Sequence, residues 1–344
     1  MNSINKILLV GAISDDPSMY TYASSFNSTL KYLGYTVELY NYRNHSYSWL
    51  PKRAKEWAIN QQLSNHENEF KPDLLFLLKA ETIRESTLRT IKQRSNLKII
   101  NFYPDNPFAL WNGNSTAEVL KSLPLYTCFM SWSKMLIPTL ESAGARHVCY
   151  FPFAYDDTIF NIDKTTQALD AKKHIFDVCF VGTWEPEREE WLSVIAEKLP
   201  TVRLGVWGNG WQKHCRSTAL QKHLQGDAVY NASIVKIFQQ TNIVLNFIRK
   251  QNKTSHNMRT FEVPATGAFL LTQRTTEQAE QLFEEDVHLG CFSTPEELIN
   301  KILFFLDHEA LRTSIAYQGY QHVQQYTLSR QLKDYLSRCP QLNI

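Results

Sequence analysis

The feature that most constrains this chain is an alternation, repeated along its length, of short unbroken apolar runs with longer amphipathic segments. Leu74-Leu75-Phe76-Leu77-Leu78 is the clearest such run. A strand with one face in water alternates apolar and polar residues. A strand that is apolar throughout is covered on both faces, as in a parallel sheet flanked by helices. The chain therefore reads as α/β, and its 344 residues exceed one ordinary core and suit two.

The first series has a strand at Lys6–Gly11, a helix from Met19 to Leu33 closed by Gly34, a strand at Thr36–Tyr40 and a helix at Ala54–Leu63. Strands at Leu74–Leu78 and Lys98–Phe102 flank a helix at Glu85–Arg94. Segments Thr116–Leu123, Cys128–Ser131, Ser133–Ala143 and His147–Phe151 continue the pattern. Periodicity lapses after Tyr155, through about His174, as expected of an interdomain linker. A second series then starts afresh with a strand at Asp177–Val181, a helix at Glu187–Lys198, and strands at Arg203–Trp207 and Val229–Tyr230. It goes on with a helix at Ile234–Gln240, a strand at Ile243–Phe247, a short helix at Phe261–Thr266 and a strand at Ala268–Thr272. Helices at Thr276–Phe283, Pro295–Asp307 and Glu309–Tyr326 complete it. We expect an N-terminal Rossmann-like domain over 1–160, a C-terminal one over 174–327, and a last segment, 328–344, whose helix crosses back to the first domain. Two doubly wound domains face across a cleft in this reading, and ligands of such sheets bind at the carboxyl ends of the strands.

Composition narrows the function. A hydrophobic fraction of 43% and a charged fraction of 20% are those of a globular protein. A net charge of +2 offers no concentrated basic face, so nucleic acid is not an expected partner. The six cysteines are scattered with no C-x-x-C pair, and several lie in apolar strands, where a thiol acts as a small hydrophobe. Neither a disulfide framework nor a zinc cluster is expected. The run Ile7–Val10 is too short for the core of a signal peptide and soon meets Asp15 and Asp16, so a cytoplasmic location is expected. Trp49, Lys52, Arg53, Lys55 and Trp57 form a basic, aromatic patch: either a peripheral membrane contact or a solvated helix face with two packed rings.

The stretch richest in chemistry is His256-Asn257-Met258-Arg259-Thr260-Phe261-Glu262-Val263-Pro264-Ala265-Thr266-Gly267, leading into a strand. Proline fits the first turn of a helix, so a short helix is expected to begin near Phe261 or Glu262 and to end at Gly267. Its N-terminus offers unpaired N–H groups to a diphosphate. Glu262 either accepts hydrogen bonds from ribose hydroxyls or complements the helix dipole. Arg259 either balances phosphate charge or pairs with Glu262.

Arg259-Thr260-Phe261-Glu262-Val263-Pro264-Ala265-Thr266-Gly267, the acidic Phe-containing turn at Phe283-Glu284-Glu285-Asp286 and the Ser293-Thr294-Pro295-Glu296-Glu297-Leu298 helix start together resemble the CgeB-like glycosyltransferases, a branch of the group-1 GT-B enzymes. The resemblance is clearest from Asp177 to Gln331. It implies the GT-B fold, a nucleotide-sugar donor in the second domain, and Glu262 on the donor ribose. Group-1 relatives often carry another glutamate eight residues earlier, where this chain has Thr254. A similar F-x-G…R element in the family makes Arg188, in Phe180-Val181-Gly182-Thr183-Trp184-Glu185-Pro186-Glu187-Arg188, a phosphate ligand, with Gly182 and Thr183 beside it.

Other candidates are less specific. In Trp207-Gly208-Asn209-Gly210-Trp211, Trp211 either stacks on a base or sugar or is packed beside a glycine turn, and Asn209 shares that loop. Tyr230, after the next strand, has the same two readings as Trp211; Asn246 and His256 are expected to border the donor, His256 more as a loop residue than a ligand. In the first half, Asp105, in the turn Pro104-Asp105-Asn106-Pro107, is either the contact and general base for an acceptor hydroxyl or the cap of its own turn. Ser14-Asp15-Asp16 invites a response-regulator reading, but Leu78-Lys79 stands where that fold needs an aspartate.

No D-x-D triplet occurs, and neither H-E-x-x-H nor G-x-S-x-G is present. Phosphate charge then falls to Arg side chains, helix ends and backbone N–H groups, so no metal and no cofactor are expected, the nucleotide sugar being substrate. The reaction is expected to move a glycosyl group to a hydroxyl of an unidentified acceptor, with retention by family resemblance. The rivals are a nucleotide-sugar epimerase of the same fold and a catalytically silent nucleotide- or sugar-binding protein.

Overall fold

The computed structural model describes residues 4–14, 19, 21–43, 45–94, 97–109, 117–160, 174–252 and 254–342. Asp15, Asp16, Thr116, Lys253 and most of the expected linker (161–173) lie outside them. The chain divides into two compact units, 1–152 with 328–344, and 153–327.

The first unit is built on six strands: β1 (Lys6–Gly11), β2 (Thr36–Asn41), β3 (Leu74–Leu78), β4 (Lys98–Tyr103), β5 (Cys128–Ser131) and β6 (Val148–Tyr150). Their order is β2-β1-β3-β4-β5-β6, every pairing parallel. All five side chains of β3 are buried, as its unbroken apolar run requires. Each such side chain contributes about 1.5–3 kcal/mol through removal from water. Helices α1 (Tyr22–Tyr32), α2 (Lys52–Phe70), α3 (Glu85–Arg94), α4 (Ala117–Lys121) and α5 (Ile137–Ser142) connect them. Helix α1 starts at a reciprocal cap, in which the Ser24 N–H donates to Thr21 Oγ1 (3.2 Å) and the Thr21 N–H to Ser24 Oγ (3.4 Å). Gly34 closes it at φ +92°.

The second unit has the strands β7 (Phe176–Val181), β8 (Leu204–Trp207), β9 (Leu224–Gly226), β10 (Thr241–Asn246), β11 (Leu270–Gln273) and β12 (Gly290–Phe292), in the parallel order β12-β11-β10-β7-β8-β9. The chain moves from β7 outward to β9 and then returns to the other side of β7 with β10. The strand order reverses there, and ligands of open α/β sheets bind outside the carboxyl ends at such a point. Between the strands run α6 (Pro186–Lys198), α7 (Trp211–His214), α8 (Thr218–Gln221), α9 (Asn231–Gln239) and α10 (Arg259–Ala265), then a π-helical turn (Glu277–Leu282), α11 (Pro295–Asp307) and α12 (Glu309–Val323).

Helix bounds shift by a few residues, as at α2, and three further details differ from the sequence reading. The short strand is Leu224–Gly226, and Val229–Tyr230 instead lead into α9. An edge strand of Leu, Gln and Gly carries no apolar run to reveal it. The strand Gly290–Phe292 is too short to show periodicity. Residues 153–160 group with the second unit rather than the first. Their attachment is local: Tyr155 bridges Thr327, and the Phe153 N–H donates to His256 Nε2 at 3.1 Å. The last helix, α13 (Leu328–Arg338), groups with the first unit, where Tyr335 meets the ring of Phe151 at 5.8 Å and Lys98 Nζ donates to the Leu342 carbonyl.

Candidate functional site

The loops leaving β7 and β8 lie against each other. The Gly182 N–H donates to Trp207 O (2.9 Å), the Trp184 N–H to Asn209 O (2.9 Å), and Trp211 Nε1 to Gly182 O (2.7 Å). Gly208 has φ +144°, and a Cβ there would stand 2.0 Å from the Gly182 oxygen. Only glycine permits that approach. At Gly182 a Cβ would meet the Phe180 ring at 2.7 Å and Arg188 Nη1 at 3.5 Å. Its missing side chain leaves room for the Arg188 guanidinium, which lies over the Phe180 ring at 5.5 Å.

Three guanidiniums gather at the β7–β10 reversal. Arg188, in the first turn of α6, donates from Nη1 to Thr183 O at 2.7 Å and holds Nε 3.6 Å from Glu185 Oε2. That Nε is buried and makes no hydrogen bond among the described residues. Arg249, just past β10, pairs through Nε with Glu185 Oε1 at 2.6 Å. Arg259 opens α10, reaches back to Val181 O from Nε (3.4 Å) and pairs through Nη1 with Glu262. Burial lowers Arg188 to about 10; Glu185 opposes that shift, and the neighbouring charges of Arg249 and Arg259 add to it. With Lys250, 3.7 Å from Glu187, four cations face the three carboxylates of Glu185, Glu187 and Glu262, an excess of one. Cations held this close without full compensation suit a multivalent anion. Arg249 and Glu185 were not singled out from the sequence. The only signal is a basic residue after a strand, and the strand order that makes β10 the neighbour of β7 is not written in the sequence.

Helix α10 begins at Arg259, earlier than the proline suggested, and Pro264 sits in its last turn. Proline is tolerated there because the helix is seven residues long and loses only the bond to the Thr260 carbonyl. The first amides are not open to a ligand: the Arg259 N–H donates to Asn257 Oδ1 (3.0 Å), Thr260 to Asn257 O (3.2 Å), and Phe261 and Glu262 to Met258 O (3.0 Å each). Side chains, not the amides of this helix, therefore carry the charge offered here. Glu262 is nearly buried, with Oε2 toward Arg259 and no hydrogen bond on Oε1 among the described residues.

Several expected neighbours of the donor serve the frame instead. Asn246 is buried, giving Nδ2 to Thr272 Oγ1 (3.0 Å) and accepting from Asn257 Nδ2 (2.9 Å), so it clamps the loop before α10 to the sheet. His256 is fully buried; besides accepting from Phe153 it faces Ser255 Oγ at 3.1 Å, and burial lowers its imidazole to about 3. Trp211 is fully buried with its ring edge-on to Phe180 (6.1 Å), so it is core and not a stacking platform. Gly267, at φ +73°, ends α10. A seven-residue helix separates it from Arg259 by about 10 Å. Exposed or half-buried side chains remain at Thr183, Trp184, Asn209 and Tyr230, the last at the cap of α9. Trp184 stacks on His214 at 4.8 Å.

In the first unit, Asp105 follows β4 and pairs with Lys79 at 2.8 Å. Lys79 and Ala80 follow β3 with φ of 61° and 53°, a left-handed conformation costly for residues with a Cβ. They stand beside this sheet's own order reversal, between β1 and β3. Among the described residues, no group of three or more His, Cys, Asp or Glu is placed to hold a metal ion. A groove of about 690 Å³ in the second unit, walled by Phe304, Phe305, Leu311 and Ile315 and rimmed by Glu296 and Glu297, has the wrong charge for a diphosphate.

Known proteins resemble this architecture. A family model described as "Glycosyl transferase-like" matches residues 188–337. Sucrose-phosphate synthase from Thermosynechococcus elongatus superposes with a TM-score of 0.71 at 10% identity, covering 96% of this chain and 97% of that one. A glycosyltransferase from Rickettsia africae gives 0.70 at 12% identity, with 98% of each chain covered. Anabaena HepE, solved with UDP and glucose, gives 0.66 at 14% identity over 97% of this chain and 99% of its own. No curated protein matches the sequence. The chain has the two-sheet fold of the GT-B glycosyltransferases, and over residues 188–337 its sequence is glycosyl transferase-like.

Proposed function

We propose that the protein is a glycosyltransferase of the CgeB-like, group-1 kind. It moves a sugar from a nucleoside-diphosphate sugar to a hydroxyl of a glycan, lipid-linked or protein acceptor. The observation that carries this reading is the gathering of Arg188, Arg249 and Arg259 where the strand order reverses in the second sheet. The donor diphosphate lies among these guanidiniums, displacing Glu185 from them, and Glu262 Oε1 accepts from a ribose hydroxyl. Thr183, Asn209 and Tyr230 line the approach, while Gly182, Asn246, His256, Trp211 and Gly267 hold the loops. As the glycosidic bond breaks, negative charge grows on the departing diphosphate, and fixed guanidiniums stabilise that charge more than they stabilise the ground state. The sequence has no D-x-D to hold a divalent ion on the phosphates, so we infer turnover that chelators leave intact. The family resemblance supports retained configuration, and the six scattered, unpaired cysteines support a cytoplasmic site of action. Asp105 meets the acceptor hydroxyl. Its pairing with Lys79 makes it a contact first and a base only if the lysine moves.

The test is calorimetric titration with UDP, GDP, CDP and dTDP without metal, beside Glu262→Ala. One diphosphate should bind at micromolar Kd and weaken sharply in the variant; UDP is the first choice, since HepE was solved with it. No binding by any of the four sinks the donor site. Conversion of the donor alone into an epimer, with no acceptor present, replaces transfer by epimerisation.

A further inference from the structure

The six cysteines are scattered along the sequence, yet the fold gathers three of them. Cys128 opens β5, Cys149 is the middle residue of β6, and Cys339 follows the last turn of α13. They are all the cysteines of the first unit, drawn together from two neighbouring strands and the far end of the chain. Cys128 Sγ stands 2.6 Å from Cys149 Sγ, and the Cys339 thiol interacts with both. A thiol packed as a small hydrophobe needs no other thiol beside it. Cys179 and Cys291 show that arrangement in the second unit, each buried in a separate strand.

Register and access decide which pair can close. Cys149 stands opposite Met130, two residues beyond Cys128 on β5. Strands about 4.8 Å apart that rise about 3.3 Å per residue put those two Cα atoms about 8 Å apart, more than the roughly 7 Å a disulfide spans without backbone movement. The ladder therefore opposes a bridge within the sheet. Cys339 belongs to no ladder and is not held to that spacing. Of the two strand thiols, Cys128 is buried and Cys149 half-buried, on a three-residue strand at the sheet edge. Cys128 and Cys149 donate to the Cys339 sulfur and hold its thiol below the ordinary range, against the effect of burial. Thiolate is the form that attacks a disulfide.

We propose that Cys149 and Cys339 are a site of reversible oxidation, closed to a disulfide by a low-molecular-weight disulfide. The Cys339 thiolate attacks one sulfur of that reagent, whose S–S bond breaks and releases one small thiolate. Cys149 then gives up its proton and attacks Cys339 Sγ in the mixed disulfide. The Cys149–Cys339 bond forms as the second small thiolate departs. Two protein thiols are oxidised, one small disulfide is reduced to two thiols, and excess small thiol drives the exchange backwards. In a reducing compartment the open form is the resting one, and a disulfide there acts as a sensor. The bond fastens α13, otherwise held by buried Leu328, Leu332 and Leu336, to the sheet of its own unit. The inference stands on the first unit alone and is independent of the donor.

The test treats the full chain with oxidised glutathione, alkylates the remaining thiols and maps the peptides by mass. A Cys149–Cys339 linkage should form, and reduced glutathione in large excess should open it. The loop it closes contains the whole second unit, so the bridged protein should show a denaturation midpoint about 5–10 °C above the reduced one. Cys149→Ala and Cys339→Ala should each abolish the bridge and the shift, while Cys128→Ala and Cys179→Ala should keep both. Mapping the unaltered chain needs no variant, so a variant that fails to fold does not decide the matter. A Cys128–Cys149 linkage, a linkage to Cys179, Cys215 or Cys291, or glutathione retained on one cysteine without closure overturns the proposal. So does a bridge that excess reduced glutathione leaves intact, and equal midpoints for the two forms overturn the fastening of α13.

Discussion

The carboxylate of Glu262 is ion-paired with the guanidinium of Arg259, three residues earlier on the same side of α10. The residue proposed for ribose and a residue proposed for phosphate thus orient each other before any ligand arrives. Removing either should cost the other its geometry. We expect Glu262→Ala and Arg259→Ala each to weaken nucleoside-diphosphate binding about 10- to 100-fold, the range for hydrogen bonds to charged groups. The double variant should lose little more than either single one. A calorimetric double-mutant cycle checks this; additive losses would mean that the residues act separately.

Glu185 has the opposite expected effect. It neutralises Arg249 at 2.6 Å and faces Arg188 at 3.6 Å, and so competes with an incoming diphosphate for both. Glu185→Gln should raise diphosphate affinity about three- to tenfold, reflecting roughly 1 kcal/mol for a partly exposed pair. The gain should shrink as salt is added. Titrations at two ionic strengths measure it, and a loss of affinity would instead make Glu185 a positioning residue for Arg249.

Gly208→Ala should damage the fold of the second unit more than its chemistry. The new Cβ would overlap the Gly182 carbonyl, which also accepts from Trp211 Nε1. Backbone, not a flexible side chain, has to move. A loss of about 3 kcal/mol in denaturant unfolding is expected, at the large end for single substitutions. Gly226→Ala, where nothing lies within 4 Å of the added atom, is the control for left-handed strain alone.

How much of this was legible beforehand follows from what a sequence encodes locally. Leu74–Leu78, Glu85–Arg94, Cys128–Ser131 and Pro295–Asp307 fall where periodicity and breakers put them, because each is long or apolar enough to carry its own signal. The strands Leu224–Gly226 and Gly290–Phe292 are not, since neighbours supply their pairing. Arg259 and Glu262 stood out as charges beside an expected helix start and Arg188 through the family resemblance, and the structure brings them to one edge. Arg249 did not, because only the strand order joins it to them. Tryptophan is the sharpest case: Trp211, which opens a helix, is wholly buried, and Trp49, in the turn three residues before one, is mostly exposed. Burial of a ring depends on what the rest of the chain places over it, which no local window contains.

His256 ties the loop before α10 to Phe153, and its burial makes acid stability a test of that tie. Nε2 accepts the Phe153 N–H, so the ring is neutral with its proton on Nδ1, toward Ser255 Oγ. Glu277 Oε1 stands 3.8 Å from Nδ1, yet burial dominates and holds the imidazole at about 3 against an ordinary 6.5. The unfolded chain therefore takes up a proton below about 6.5 that the folded one refuses. The contribution is complete above that pH and is lost as pH falls, by roughly 1.4 kcal/mol per unit, until the folded value is reached. Between pH 6.5 and 5 the loss should be roughly 2 kcal/mol. His256→Gln keeps an acceptor near Phe153 without a titrating group, so it should be less stable at neutral pH but should lack this slope. Other groups contribute equally to both proteins, and the difference between their denaturation curves over that window isolates the histidine. Parallel curves would mean that the ring takes a proton in the folded state, with Glu277 as its counter-ion.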